Sequence, residues 1–243
     1  MPISPEHLSA LRGYELLWRS DATDADVEAA FAPGFTDHRP GADGTGVAEF
    51  RGHRQAAFEA LSGLSARYEP IAGDGPRFAA HATVSGVHSG EFFGVAATGR
   101  ALSWREVHLF EVRDARIAGH WMDAALLSAY MQITGQGQPD AGPPRPVPSG
   151  LSRSYTTAEQ QAPLDAYTAM VAGHDAGAAR KLYTDDYRQH GSFGPNVTRE
   201  EFEAGNRDIV CKAMPDIVRL RGGRVCEHWL QVDLLGLLNQ LHA

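Results

Sequence analysis

Cysteine is scarce in this chain of 243 residues: Cys211 and Cys226 are its only two, without metal-ligand spacing, and a lone pair of this kind reads as two free thiols. Basic runs are missing too. With 22 Lys and Arg against 30 Asp and Glu, a formal net charge of -8, nothing in the chain could neutralise a row of phosphates, which argues against a nucleic-acid partner. No apolar run approaches a membrane span, and the first twenty residues carry Pro, Glu, His and Arg where a signal segment would be apolar. A cytoplasmic chain with no membrane contact is expected. GxGxxG, P-loop and GxSxG motifs are absent as well, so nucleotide cofactors and serine-nucleophile chemistry have no support. The hydrophobic content of 43% is enough for one large or two small globular domains.

The chain does contain an internal repeat. HLFEVRDARIAGHW at 108–121 matches DIVRLRGGRVCEHW at 216–229 without a gap, and LRGYELLWRSDATDADVEAAFAPGFTDH at 11–38 returns as LDAYTAMVAGHDAGAARKLYTDDYRQH at 164–190. The copies differ in length. His38 and His120 are 82 positions apart but His190 and His228 only 38, so the second copy is shorter by 44, and its missing part covers several strands. Between the copies GQGQPDAGPPRPVPSG is rich in Pro and Gly, with almost nothing to bury. The expected organisation is a first domain at 5–134, a linker at 135–160 and a truncated repeat at 161–243. Left with a single hairpin, the repeat would enclose no cavity and would lean on the first domain or pair with another chain.

Within the first copy, Leu8, Leu11, Tyr14, Leu17 and Trp18 recur at helical spacing from Pro5 to Arg19. A short helix should follow the N-cap candidates Thr23 and Asp24 and end at Pro33-Gly34, with FTDHRPGADG a turn-rich loop carrying His38. A third helix is expected from about Gly46 to Leu61. After Gly63 the period changes to two: SARYEPI, RFAAHATVSGVHSG, ALSWREVHLFEV and RIAGHWMD read as antiparallel strands, and a final helix follows. Helices followed by a curved sheet give an α+β class.

The last hairpin concentrates the chemistry. A three-residue turn at Arg113-Asp114-Ala115 would pair Val112 with Arg116, His108 with His120 and Glu106 with Met122. Trp104, Glu106, His108, Phe110, Ala118, His120 and Met122 would then share one face. Two imidazoles and a carboxylate among aromatics are costly to bury unless hydrogen-bonded or used, which suggests the lining of a cavity. The strand end would carry His88 to the same cavity, and Trp104, Phe78, Tyr14 and Tyr68 would supply flat walls, with His38 and His53 as further candidates. His88, His108 and His120 with Glu106 could be arranged as metal ligands, but no His-x-x-x-His spacing supports this and no metal is expected.

FTDHRPG, VSGVHSGEFFGVAATGR, SWREVHLF and RIAGHW make the first copy resemble the SnoaL-like polyketide cyclases of the NTF2-like superfamily. The resemblance implies a cone-shaped α+β fold whose curved antiparallel sheet packs on helices around a pocket, with a homodimer formed through sheet surfaces. It implies a lyase or isomerase of secondary metabolism, related to ester cyclases, that performs an acid-base catalysed intramolecular aldol on a polyketide-like small molecule without cofactor. His108 matches the family's catalytic histidine. The family's aspartate position falls on Met122, and the nearest carboxylate is Asp123, which strand alternation points away from His108 unless a bulge or the helix start turns it inward; it could equally cap the last helix. The candidate catalytic set is therefore His108, Asp123, Glu106 and His120, and the candidate substrate contacts are His88, Trp104, Tyr14, His38, Met122 and Phe78. A non-catalytic binding protein, or a hydrolase, dehydratase or isomerase using the same pocket, are the alternatives, because this fold hosts many functions.

Overall fold

A computed structural model describes residues 3–39, 42–136, 157–172, 179–191, 194–200 and 216–230. The elements to residue 134 form one compact unit and the later ones a second. In the first unit, helix α1 (Pro5–Leu16) starts at a capping box, where Ser4 Oγ accepts from the His7 amide and His7 Nδ1 accepts from the Ser4 amide. Helix α2 (Asp24–Ala30) starts the same way, with Thr23 and Asp26 as the reciprocal pair. Strands β1 (Phe31–Arg39) and β2 (Ala42–Thr45) follow, then helix α3 (Val47–Ala60). The chain continues through β3 (Leu61–Asp74), β4 (Arg77–His88), β5 (Ala101–Arg113) and β6 (Arg116–Ala124) to helix α4 (Leu126–Thr134). The α+β class is as expected, and the curved sheet is mixed: its order is β2-β1-β6-β5-β4-β3, with β1 parallel to β6 and every other pair antiparallel.

The expected loop after α2 is a correction. FTDHR is strand β1, which runs through Pro33 and Gly34. Both lie where the pairing with β6 skips, between Phe31 and Thr36, so neither residue has to serve the ladder. Gly34 takes φ +77°, which suits a residue without Cβ.

The hairpin register is a second correction. The turn is two residues long, Asp114 and Ala115, both left-handed at φ 53° and 56°, and it pairs Arg113 with Arg116. Ala118, expected on the shared face, is the extra residue of a bulge between Ile117 and Gly119. Turn and bulge together displace the expected pairing by two, so His108 lies opposite Met122 and His120 opposite Phe110. An even displacement leaves every other side chain on its face.

That face is buried against the helices. Tyr14, Phe31, Phe50, Phe78, Phe110 and Ile117 form one cluster; Leu61, Leu102, Trp104, Ala129 and Ile133 form another towards α4. Among the described residues no helix is long and apolar enough to cross a membrane.

The second unit contains helices α5 (Thr157–Ala172) and α6 (Ala179–Leu182) and strands β7 (Tyr183–Gly191), β8 (Gly194–Thr198), β9 (Asp216–Arg221) and β10 (Arg224–Leu230). Its sheet has the order β8-β7-β10-β9, four strands where a lone hairpin was expected. The difference has the same origin as in the first unit, because the YRQH segment is strand β7 and pairs in parallel with β10. Cys226 is buried. Most of the expected linker, and the end of the expected repeat after Leu230, lie outside the described residues.

Candidate active site

Successive rows of the first sheet carry the chemistry. One runs from Asp37 through His120 and Phe110 to Phe78, the next from Met122 through His108 to Ala80, and the third from Ala124 through Glu106 and Ala82 to Tyr68. Ala80 and Ala82 leave the polar groups of β5 room on their β4 side. A hydrogen-bonded chain crosses these rows diagonally, at the reach expected of long side chains on neighbouring strands. Trp104 Nε1 donates to Glu106 Oε1 at 2.9 Å; Glu106 Oε2 lies 3.1 Å from His108 Nε2; His108 Nδ1 lies 2.9 Å from His120 Nε2; His120 Nδ1 lies 2.8 Å from Asp37 Oδ1; and Arg39 Nε donates to Asp37 Oδ2 at 2.8 Å. Asp37, His108 and His120 are at most 1% exposed and Glu106 is 9% exposed. Tyr14 and Tyr68 close over the imidazoles, with ring centroids 5.1 Å apart for Tyr14 and His120 and for Tyr68 and His108.

The electrostatics follow from this arrangement. Burial pushes the Glu106 carboxyl up, but the hydrogen bond and charge of His108, with help from Trp104, outweigh it and hold the carboxyl below the usual glutamate range. Asp37 is likewise raised by burial and lowered further by His120 and Arg39, so it stays ionised. Burial lowers His120 to about 4 against the pull of Asp37, leaving that ring neutral at pH 7. Burial also raises the Tyr14 and Tyr68 hydroxyls well above the usual tyrosine value and lowers His53.

Beside the Glu106 end of this chain lies a cavity of about 330 Å³. Its apolar wall includes Trp18, Leu61, Tyr68, Phe92, Trp104 and Met122, and its polar groups are Arg39, His53, Glu91 and Glu106. The size and the few convergent polar groups suit a small organic ligand.

Among the expected site residues, Glu106, Trp104, Met122, Tyr68 and His53 line this cavity, while His108 and His120 stand behind Glu106. Asp123 pairs with Val107 on the opposite face from His108, and its Oδ1 accepts from the Ala124 amide at 2.7 Å. Nor does it cap α4, whose N-cap is Ala125. Tyr14 and Phe78 are core, Phe78 stacking on Phe110 at 4.9 Å. His38 stacks flat on Trp121 at 5.0 Å, and His88 is buried with Nδ1 2.9 Å from Thr98 Oγ1. None of these four lines the cavity. Asp37 and Arg39 were missed; the signal was the FTDHR segment itself, whose parity as a strand beside β6 puts Asp37, and not His38, next to His120. Among the described residues no group of three or more His, Cys, Asp or Glu could hold a metal ion.

The family model for SnoaL-like polyketide cyclases matches residues 9–133, more than half of the chain. The chain belongs to the SnoaL-like polyketide cyclase family. Similar solved structures include TsrD from Streptomyces laurentii, at 19% identity over 55% of this chain and 98% of its own, with a TM-score of 0.48. IdmH, a putative polyketide cyclase from Streptomyces antibioticus, is 24% identical over 54% of this chain and 99% of its own, also at 0.48. A putative SnoaL-like polyketide cyclase from Jannaschia sp. CCS1 is 19% identical over 59% and 99%, again at 0.48. No curated protein matches the chain.

Proposed function

We propose that this SnoaL-like protein catalyses an intramolecular aldol cyclisation of a polyketide-type carbonyl compound, with Glu106 as the group that touches substrate. One observation carries the reading: a carboxylate at the cavity wall, clamped between Trp104 and His108, on a chain whose family aspartate position is Met122. Glu106 would take a proton from the carbon beside a carbonyl; the enolate carbon would then attack a second carbonyl, and the new alkoxide would recover the proton from Glu106. Acid-base help of this kind is worth about 10² to 10⁴ in rate. Trp18, Tyr68, Phe92 and Trp104 supply flat surfaces for a conjugated substrate, and Arg39 is the cation beside an oxygen that gains charge.

The test is turnover of linear poly-carbonyl substrates, with product analysis to separate cyclisation from hydrolysis or dehydration. Glu106→Gln should lose about 10²-fold or more in kcat, whereas Asp123→Asn should stay close to wild type. Full activity in Glu106→Gln, or loss confined to Asp123→Asn, would move the chemistry elsewhere. Met122 favours a second reading, a binding protein without turnover; tight ligand binding indifferent to Glu106→Gln and no product would establish it.

The same proposal extends to the second unit, read as a truncated copy of the first at 161–243, joined by a linker at 135–160. The sheet orders support it, since β8-β7-β10-β9 follows the sequence of β2-β1-β6-β5, and Gly222-Gly223 turns with positive φ where Asp114-Ala115 does. Among the described residues β9 ends its sheet, and such edges tend to pair, which is in keeping with a homodimer built through sheet surfaces in the cytoplasm.

A further inference from the structure

The three contacts that join Glu106, His108, His120 and Asp37 each require one hydrogen between the two heavy atoms. Two carboxylates and two neutral imidazoles bring only two hydrogens to them. A fully bonded chain therefore holds a third, and the location of that hydrogen decides what Glu106 presents to the cavity.

Asp37 fixes the direction of the whole series. Its second oxygen accepts from the Arg39 guanidinium, and that charge at 2.8 Å holds the carboxyl ionised, so it does not supply the hydrogen that His120 Nδ1 shares with it. The hydrogen belongs to His120 Nδ1. A neutral His120 then offers a bare Nε2, so the hydrogen of the next contact sits on His108 Nδ1. The third hydrogen is left in the last contact, between His108 Nε2 and Glu106 Oε2.

We propose that Asp37 is a positioning residue, which acts through His120 to keep both nitrogens of His108 protonated and a cation behind the cavity-facing carboxylate. The proposal rests on Glu106 as the group that meets substrate. Its consequence is chemical: the hydrogen on His108 Nε2 can move to Glu106 Oε2 and back without breaking any contact in the series, since the acid form of Glu106 still donates to the imidazole. An enolate formed beside Glu106 thus faces the positive charge of His108 behind the carboxylate, in addition to that of Arg39 at the cavity wall. The other groups packed on the series are Tyr14 from α1, His53 from α3, Tyr68 from β3 and Arg39 from β1, while β4 contributes only Ala80 and Ala82. None of them brings a further anion at neutral pH, and the other acidic group of the cavity that Glu106 faces is Glu91.

Nitrogen-15 NMR of the labelled full-length protein at pH 7 tests this without substrate, the rings being assigned from His108→Gln and His120→Gln. The wild type should show His120 protonated at Nδ1 alone and His108 at both nitrogens. In Asp37→Asn the new amide donates to His120 Nδ1 and turns its oxygen to Arg39, so the series reverses: His120 should carry its hydrogen on Nε2, and His108 should become a neutral ring with a bare Nδ1. Deprived of that cation, Glu106 gains a proton more readily, and the acidic limb of the pH profile of kcat/KM should move up by about 1 pH unit. A wild-type His120 protonated at Nε2, or rings unchanged by Asp37→Asn, would overturn the proposal. Should Asp37→Asn not fold, the wild-type spectrum still decides it. Because the spectra need no turnover, an active Glu106→Gln would end the cyclase reading and leave this assignment standing.

Discussion

His120 is held neutral where the unfolded chain would let it charge, and this makes stability depend on pH. Its pKa falls from 6.5 to about 4 because burial strips water from the ring, and Asp37 offsets that only in part. Between those values the unfolded state binds a proton that the folded state does not, so stability falls as the pH drops from 6.5 towards 4 and levels off below it. A displacement of that size corresponds to about 3 kcal/mol. Urea midpoints at pH 7, 5.5 and 4.5 should fall accordingly, and His120→Gln should flatten the dependence; parallel curves would show that the loss belongs to other groups. Asp37 and Glu106, both lowered, act with the same sign in a more acidic window, giving stability that is complete above the ordinary carboxylate range and lost as the pH falls through their folded values. At this scale the sequence was partly legible. Glu106, His108 and His120 fall on one side of a strict alternation, which is a local property. Asp37 joins them only through a parallel pairing with a strand 83 residues away, which no local period encodes.

The β5–β6 hairpin shows how a register can be misread while the side chains that share a face are read correctly. A turn one residue shorter than expected and a bulge at Ala118 shift the pairing by two, and since side chains alternate with period two, Glu106, His108, His120 and Met122 stay on one face. The cost is a turn in which Asp114 and Ala115 both adopt the left-handed conformation, at about 1–2 kcal/mol for an ordinary residue. Asn-Gly is the pair that suits such a turn. Replacing Asp114→Asn and Ala115→Gly together should stabilise the protein by about 1 kcal/mol, the left-handed strain relieved exceeding the chain entropy that glycine adds. The contact of the Ala115 amide with Glu6 Oε1 is a backbone one and is retained. Equilibrium denaturation checks this, and an unchanged midpoint would mean that the turn is not strained. Strand β1 was illegible for the opposite reason. Pro33 and Gly34 look like a terminator when read locally, but the β6 edge needs a partner, and the skip in register between Phe31 and Thr36 accommodates both residues.

The whole chain divides its labour unevenly. Every group of the cavity lies between Trp18 and Leu126, and the hydrogen-bonded series spans Asp37 to His120, all within the first unit. On the proposed reading of the second unit as a truncated copy, the pairings that would answer to Asp37–His120 and His108–Met122 are Gln189–His228 and Asp216–Leu230. On that reading the residue types of the series are not repeated, a glutamine standing for the aspartate and an aspartate for the histidine. If the chemistry belongs to the first unit alone, a fragment of residues 1–149 should fold, by circular dichroism and a cooperative thermal transition, and should keep the kcat of the full chain. Sedimentation velocity on the same fragment separates the two roles: unchanged kcat with a smaller assembly assigns oligomerisation to residues 150–243, whereas an unfolded fragment means that the first core depends on them and the two units cannot be treated as independent.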